Sequence, residues 1–225
     1  MNTPSRHAVA ADHVFDGTVV HRHAAVVIED GHVGGVVPRA DVPAALTVRT
    51  LPDGAWLAPG FIDLQVNGGG DVLFNDAPTP ASITAIAAAH RKFGTTGLLP
   101  TFISDTPDKT SDAIAAVAML VDRNPSVLGI HLEGPFLSPE KPGVHDPRVL
   151  RAPTAEDVKT LTRPRKGAML VTLAPERVPA RYQRFTSATH SSSFAIIFPC
   201  AHVPQTIRLS ALTTALAIGG DFNLP

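Results

Sequence analysis

The sequence is poor in cysteine, in charge and in long hydrophobic runs. Cys200 is the only cysteine among 225 residues, which excludes an internal disulfide framework and is typical of a reducing compartment. The 19 Lys and Arg against 20 Asp and Glu give a net charge of -1, so electrostatics do not favour nucleic acid or an anionic membrane as a partner. No apolar run reaches the roughly 20 residues of a membrane-spanning helix, and no export signal is visible. We therefore expect a cytoplasmic protein that binds neither nucleic acid nor membrane.

Residues 1–57 are predicted to form a small β domain. The segment VVHRHAAVVIEDGHVGGVV places two β-branched runs on either side of Glu29-Asp30-Gly31, which are typical turn residues of a hairpin. No helical periodicity accompanies them. Short strands and turns are therefore expected throughout this part.

Residues 58–180 alternate predicted strands with predicted helices. The strands lie in LAPGFIDLQVNGGG, GTTGLLPTFIS, VLGIHLEGP and AMLVTLAPE. Thr79, Thr106 and Thr154 are the expected N-caps of the helices between them, and Asp157 stands where a capping box has its acid. Near-continuous apolar strands alternating with helices predict an α/β fold with a parallel sheet, either a barrel or a doubly wound sheet. In a barrel the strand ends would share the catalytic face.

Residues 181–225 form a tail of different composition. Only Arg208 and Asp221 are charged in 185–225, whereas the first 184 residues hold the other 37 charges. The tail contains no Lys or Glu and no clear alternation of strands and helices. We take a reading-frame shift shortly after residues 177–180 as the hypothesis that explains this change.

The stretch GIHLEGP ends the third predicted strand with His131 and Glu133, before a Gly-Pro break. A charged residue is rarely buried without a partner, so a carboxylate at a strand end predicts a metal ligand or an acid–base group. The alternative is a carboxylate satisfied by a neighbouring Arg or a helix N-terminus. His131 points the same way as Glu133 and is either a second ligand or a packed, hydrogen-bonded histidine.

Polar residues also end the first strand and follow the third. Asp63, Gln65 and Asn67 alternate along LAPGFIDLQVN, and the two amides are expected to hold water or substrate, or else to anchor a loop. His145 lies in the Pro- and Gly-rich loop KPGVHDP. It could contact an anionic substrate or lie on the surface.

Two further patterns carry weak signals. His21 and His23 form an H-x-H pair that could bind zinc, but a solvated strand face is the favoured interpretation. Gly68-Gly69-Gly70 is not followed by the Lys-Ser/Thr of a phosphate-binding loop.

LAPGFIDLQVNGGG, GTTGLLPTFIS, GIHLEGPFLSPEKPGVHDP and VTLAPE, in this order, resemble the N-acetylglucosamine-6-phosphate deacetylase family of the amidohydrolase superfamily. The resemblance covers roughly residues 56–180. It implies a (β/α)8 TIM barrel, here incomplete with about four strands, and a small N-terminal β-sandwich. It also implies hydrolysis of the acetamide of N-acetylglucosamine 6-phosphate, one divalent metal ion (zinc in most members), a sugar phosphate as small-molecule partner, and a homo-oligomer for a full-length chain.

The same resemblance implies roles for particular residues. Glu133 matches the metal ligand of the family, while Val144 and His145 match the pair that contacts the sugar phosphate. Gln65 and Asn67 fall where other amidohydrolases have the H-x-H of a first metal.

The catalytic Asp of the family lies beyond the matching region, so the catalytic residue is left unassigned, and His190, His202 and Asp221 receive no role. Two alternatives remain open. One is an amidohydrolase that acts on cyclic amides, and the other is a non-catalytic fragment that binds sugar phosphate.

Overall fold

The computed structural model describes residues 6–179 and 194–198. The chain divides into two compact units on either side of the Gly60–Phe61 bond. None of the described helices is long and apolar enough to cross a membrane.

The N-terminal unit contains one five-stranded sheet. Its strands are β1 (Arg6–Phe15), β2 (Val20–Glu29), β3 (His32–Pro38), β4 (Thr47–Thr50) and β5 (Trp56–Leu57). The order is β3-β2-β1-β4, with β5 also paired to β1, and the β1–β2 and β2–β3 pairs are antiparallel. Small side chains fill the interior of this unit, because Ala8, Ala10 and Ala25 are fully buried. This part consists of strands and turns, but β1 and β2 have ten residues each, longer than the short strands expected, and the described strands form one sheet and not a sandwich of two.

The hairpin between β2 and β3 is the one that the sequence predicts. Glu29 pairs with His32, which leaves Asp30 and Gly31 as a two-residue turn. Both turn residues have positive φ, 50° and 79°. An Asp-Gly pair adopts this conformation readily, which is why it favours a tight hairpin.

The second unit carries the remaining elements. These are β6 (Phe61–Val66), β7 (Gly68–Gly69), β8 (Val72–Leu73), α1 (Pro80–Arg91), β9 (Thr95–Ile103), α2 (Pro107–Ala118), β10 (Gly129–Glu133), α3 (Ala155–Thr162), β11 (Ala168–Leu173) and β12 (Phe194–Phe198). The main sheet has the order β12-β11-β10-β9-β6, and β7 and β8 form a separate two-stranded pair.

Strands β6, β9, β10 and β11 are mutually parallel and form a half-barrel. The predicted α/β fold, an incomplete barrel of about four parallel strands, is confirmed. Strand β12 was not predicted and runs antiparallel to β11. Four of its five residues, in the sequence Phe-Ala-Ile-Ile-Phe, are aromatic or β-branched, which favours a strand. The rest of the predicted tail, 181–193 and 199–225, lies outside the described residues.

All three predicted helix starts are confirmed. The side chains of Thr79, Thr106 and Thr154 accept hydrogen bonds from backbone N–H groups in the first turns of α1, α2 and α3. Asp157 completes the capping box by accepting from the backbone of Thr154 at 2.7 Å.

The core of the second unit lies between the sheet and its helices. Phe74 and Phe102 meet edge to face, with ring centroids 5.7 Å apart. Around them lie the buried side chains of Ile83, Ile86, Leu98, Val117, Ile130 and Val171. This packing fixes the strands and therefore the residues at their carboxyl ends.

Candidate functional site

The carboxyl ends of four parallel strands bring together the polar side chains of this site. Gln65 is near the end of β6, Thr101 near the end of β9, Glu133 at the end of β10, and Thr172 near the end of β11. The sheet register places Glu133 beside Ile103 on one side and beside Thr172 on the other. In barrel enzymes this end of the strands is the catalytic one.

Glu133 is held by an amide and faces an imidazole. Its side chain is 22% exposed. The Nε2 of Gln65 donates to Oε2 of Glu133 at 3.0 Å, while Nε2 of His145 lies 3.8 Å from Oε1. In the described part of the chain the side-chain partners of Glu133 are therefore these two groups and not an arginine. The carboxylate thus lies at the carboxyl ends of the strands and is partly exposed.

His131 is a structural histidine. It is only 2% exposed, and its ring joins two neighbouring strands: Nδ1 lies 3.2 Å from Oγ1 of Thr101, and Nε2 lies 2.8 Å from Oγ1 of Thr172. Burial lowers the pKa of His131 to about 4, and a backbone hydrogen bond with Leu64 opposes this only in part. Both ring nitrogens are occupied, which favours the packed, hydrogen-bonded interpretation over a second metal ligand.

The hydroxyl of Thr101 extends this row of hydrogen bonds to the first strand. It accepts from the backbone N–H of Val66 at 2.9 Å. Hydrogen bonds thus connect β6, β9, β10 and β11 next to the carboxylate of Glu133. Fully bonded buried networks of this kind make the positions of their members rigid.

The loop after β10 turns its histidine inward and its valine outward. His145 is 7% exposed, whereas Val144 is 85% exposed. The Nδ1 of His145 lies 2.8 Å from Oγ of Ser104, and its backbone N–H donates to the carbonyl of Pro142 at 3.0 Å. The alternative of a surface histidine is therefore wrong at this position, because the ring is enclosed and bonded.

The polar residues in β6 and directly after it make different contacts. Gln65 reaches Glu133 through its side chain, but Asp63 instead accepts from the backbone N–H of Gln65 at 3.0 Å. Asn67 is half-buried, and its backbone carbonyl accepts a hydrogen bond from the backbone N–H of Phe74 at 2.9 Å. Of the two amides, the structure thus brings Gln65 into a hydrogen bond with Glu133.

Sequence reasoning missed two residues beside this site, Ser104 and Asn75. Ser104 follows β9 directly, so a hydroxyl immediately after an apolar strand was the available signal. The side chain of Asn75 donates to the carbonyl of Ile103 at 3.1 Å and accepts from its N–H at 2.9 Å. It pairs with the end of β9 as a neighbouring strand would, and no short-range pattern indicates such a contact.

The described residues do not form a complete metal site. They contain no group of three or more His, Cys, Asp or Glu side chains that could hold a metal ion. A zinc site takes at least three protein ligands, and Glu133 supplies one carboxylate. The role of Glu133 as a ligand remains a prediction, and further ligands would have to come from outside 6–179 and 194–198. His190, His202 and Asp221 all lie outside.

The H-x-H pair of the N-terminal unit is engaged with carboxylates on an exposed surface. Nε2 of His21 lies 2.7 Å from Oδ2 of Asp16, and Nδ1 of His23 lies 3.5 Å from Oδ1 of Asp12. Gly68 and Gly69, the other weak signal, form β7 and pair with β8.

Residues 56–184 match the amidohydrolase family. The match covers more than half of the chain, and this chain belongs to that family. Members of the family generally use a divalent metal ion. The half-barrel and the carboxylate at the end of β10 agree with this membership.

Within the family, the chain is similar to amino-sugar phosphate deacetylases. It is 40% identical to N-acetylgalactosamine-6-phosphate deacetylase of Shewanella sp. (strain ANA-3), over 74% of this chain and 43% of that one. It is 36% identical to N-acetylglucosamine-6-phosphate deacetylase of Haemophilus influenzae, over 61% of this chain and 36% of that one. The crystal structure of N-acetylglucosamine-6-phosphate deacetylase from Pasteurella multocida superimposes with a TM-score of 0.70 at 31% identity, covering 77% of this chain and 46% of that one.

These similarities confirm the resemblance found in the sequence motifs. The chain spans less than half the length of the curated relatives that it matches.

Proposed function

We propose that this chain carries part of the active site of an N-acetylhexosamine-6-phosphate deacetylase. The reaction would be hydrolysis of the acetamide of N-acetylglucosamine 6-phosphate to glucosamine 6-phosphate and acetate. The observation that carries the proposal is the carboxylate of Glu133, which Gln65 holds at 3.0 Å beside the enclosed ring of His145. The similarity to deacetylases over three quarters of the chain supports it.

The side chains of this site have separate roles in the proposal. Glu133 is the anionic group at the strand ends and would be one ligand of a divalent metal ion, with the other ligands supplied by residues beyond the described part. Gln65 orients Glu133 by donating to one of its oxygens. His145 and Val144 bind the sugar phosphate, and Asn67, directly after β6, is a further residue proposed to bind it.

The relatives leave two sugar phosphates as candidate substrates. The Shewanella protein is named for N-acetylgalactosamine 6-phosphate and the Haemophilus protein for N-acetylglucosamine 6-phosphate. These sugars differ in the configuration of one hydroxyl group, so the same amide chemistry serves both. Both are therefore tested side by side.

A second candidate function is binding of a sugar phosphate without catalysis. It is favoured by the lack of a three-ligand group in the described part of the chain. A single carboxylate holds zinc weakly, because structural and catalytic zinc sites need three or four ligands.

The test is an acetate-release assay on the purified 225-residue chain, with and without added zinc. The substrates are both N-acetylhexosamine 6-phosphates and, for comparison, a cyclic amide such as dihydrouracil. Glu133→Gln keeps the shape of the side chain and removes its charge, and Glu140→Gln is the matched control because Glu140 is exposed in the following loop. Deacetylation should fall about 100-fold or more in Glu133→Gln and be unchanged in Glu140→Gln.

The outcomes separate the two candidates. Acetate release that depends on Glu133 supports the deacetylase. Sugar phosphate binding without acetate release supports the non-catalytic candidate. Hydrolysis of the cyclic amide alone would overturn both.

A further inference from the structure

Ser104 is the residue that connects the loop histidine with the strand of Glu133. It lies directly after β9 and is 8% exposed. Its hydroxyl is 2.8 Å from Nδ1 of His145 and 3.3 Å from the carbonyl oxygen of Glu133. One side chain thus contacts both the loop and the end of β10.

The hydrogen bonds of Ser104 favour one tautomer of His145. The backbone N–H of Ser104 also points at Nδ1, at 3.4 Å. A backbone N–H can only donate, so Nδ1 is the acceptor. The ring proton of the neutral imidazole then belongs to Nε2, and the single hydroxyl proton of Ser104 goes to Nδ1, at 2.8 Å, rather than to the carbonyl oxygen of Glu133, at 3.3 Å.

The protonated Nε2 of His145 is on the side of the ring toward Glu133 and makes no hydrogen bond with the residues that the structure describes. It lies 3.8 Å from Oε1 of Glu133, which is longer than a hydrogen bond. Because this N–H group is too far from the carboxylate of Glu133 to form a hydrogen bond with it, it can donate to an oxygen of a ligand bound beside Glu133. Phosphate and hydroxyl oxygens of a sugar phosphate are acceptors of this kind.

The backbone around Ser104 is shaped to keep its hydroxyl in place. A Cβ at Gly134 would lie 2.1 Å from Oγ of Ser104, so only glycine leaves room for this hydroxyl. On the other side, Asn75 bonds both backbone groups of Ile103, the residue before Ser104. The glycine of the HLEGP motif therefore leaves room for the side chain that directly follows the neighbouring strand β9.

We infer that Ser104 is a positioning residue that holds His145 with Nε2–H directed at a ligand oxygen beside Glu133. The inference rests on the proposed function for the identity of the ligand, a sugar phosphate. Ser104 does not itself reach the ligand and acts through the imidazole.

The first test measures the tautomer and needs no ligand. Proton–nitrogen correlation NMR of isotope-labelled histidine rings in the full chain, at a pH of about 8 where histidine is generally neutral, reports which nitrogen is protonated. We expect His145 to be protonated at Nε2, and the Nδ1 resonance to shift in Ser104→Ala because the hydroxyl at 2.8 Å is lost while the backbone N–H remains. Protonation at Nδ1 in the unsubstituted chain, or an unchanged ring spectrum in Ser104→Ala, would overturn the inference.

The second test measures binding of N-acetylglucosamine 6-phosphate and N-acetylgalactosamine 6-phosphate by calorimetry. Ser104→Ala should weaken binding about tenfold, the value of one hydrogen bond to a charged ligand, and Ser104→Thr should restore most of it. Ser82→Ala is the matched control, because Ser82 is equally buried but lies on α1. Its affinity should match that of the unsubstituted chain.

A double-mutant cycle shows whether Ser104 acts through the histidine. In a His145→Ala background, Ser104→Ala should have no further effect on affinity. An undiminished tenfold loss there would mean that Ser104 contacts the ligand directly and would overturn the positioning role. If the unsubstituted chain binds neither sugar phosphate, the proposed function fails, whereas the tautomer measurement still decides the role of Ser104.

Discussion

The histidines of the two units differ in their partners and in their surroundings. In the N-terminal unit, His21 and His23 pair with Asp16 and Asp12 on an exposed surface, and the side chain of His23 is 77% exposed. Exposed pairs of this kind contribute little, because water and salt screen them.

In the second unit, two buried histidines have hydroxyl groups as hydrogen-bond partners. His131 lies between Thr101 and Thr172, and His145 is bonded to Ser104. Both rings are buried, so each bond orients its ring in surroundings of low polarity. The spacing H-x-H is the more conspicuous pattern in the sequence, yet the histidines of the candidate site are the two buried ones with hydroxyl partners.

Removal of His131 should have the largest effect on stability. His131→Ala leaves a cavity and two hydroxyls without their ring partner, which should lower the free energy of unfolding by about 3 kcal/mol. His21→Ala removes an exposed histidine, and its effect should be within the error of the measurement. Urea unfolding followed by circular dichroism compares the two variants. Equal losses would show that the distinction between the two kinds of histidine is false.

The glycines of the two units give the second comparison. Gly134 and Gly31 both have positive φ, 86° and 79°. A Cβ at Gly31 would meet nothing within 4 Å, whereas a Cβ at Gly134 would collide with Oγ of Ser104. Alanine should therefore cost about 1 kcal/mol at Gly31 from backbone strain, and about 2–3 kcal/mol at Gly134 from strain and overpacking together.

The same unfolding experiment measures both glycine variants. A Gly134→Ala,Ser104→Ala double variant sharpens the result, because removing the hydroxyl should recover part of the loss if the collision is its cause. No recovery would mean that backbone strain alone explains the effect of Gly134→Ala.

The sequence predicted most of the fold because its signals are local. The N-caps at Thr79, Thr106 and Thr154 and the Asp30-Gly31 turn each depend on a few adjacent residues, and all are confirmed. The position of Glu133 at the end of a strand also followed from the local pattern of an apolar run before Gly-Pro.

The partners of the site residues could not be predicted in the same way. Ser104 and His145 are 41 residues apart, and Gln65 and Glu133 are 68 apart. Their meeting depends on the order of strands in the sheet and on the path of a loop, neither of which leaves a short-range signal. Strand β12 was missed for a related reason, since pairing with β11 is a contact between distant parts of the chain.

Two carboxylates give the smallest effect and the last comparison. Burial alone would raise the pKa of Asp157, but hydrogen bonds from Arg151 and Thr154 outweigh it and lower the pKa to about 2. Hydrogen bonds from His21 and from the backbone lower the pKa of Asp16 to about 2 as well, on an exposed surface.

A carboxylate whose pKa is lowered in the folded state stabilises the protein at any pH above the ordinary pKa of 3.8. This stabilisation is lost as the pH falls from 3.8 toward the folded-state pKa of about 2. Asp157→Asn should therefore reduce the free energy of unfolding by about 1 kcal/mol at neutral pH, because the capping box is weakened, and the difference from the unsubstituted chain should vanish at low pH. For Asp16→Asn the difference should also fall as salt is added, since exposed charges are screened. Unfolding curves between pH 2 and pH 6, at low and high salt, measure both. If salt reduced the effect of Asp157→Asn as much as that of Asp16→Asn, the ion pair between Asp157 and Arg151 would behave as an exposed one. The carboxylates of the two units would then differ less in burial than their histidines do.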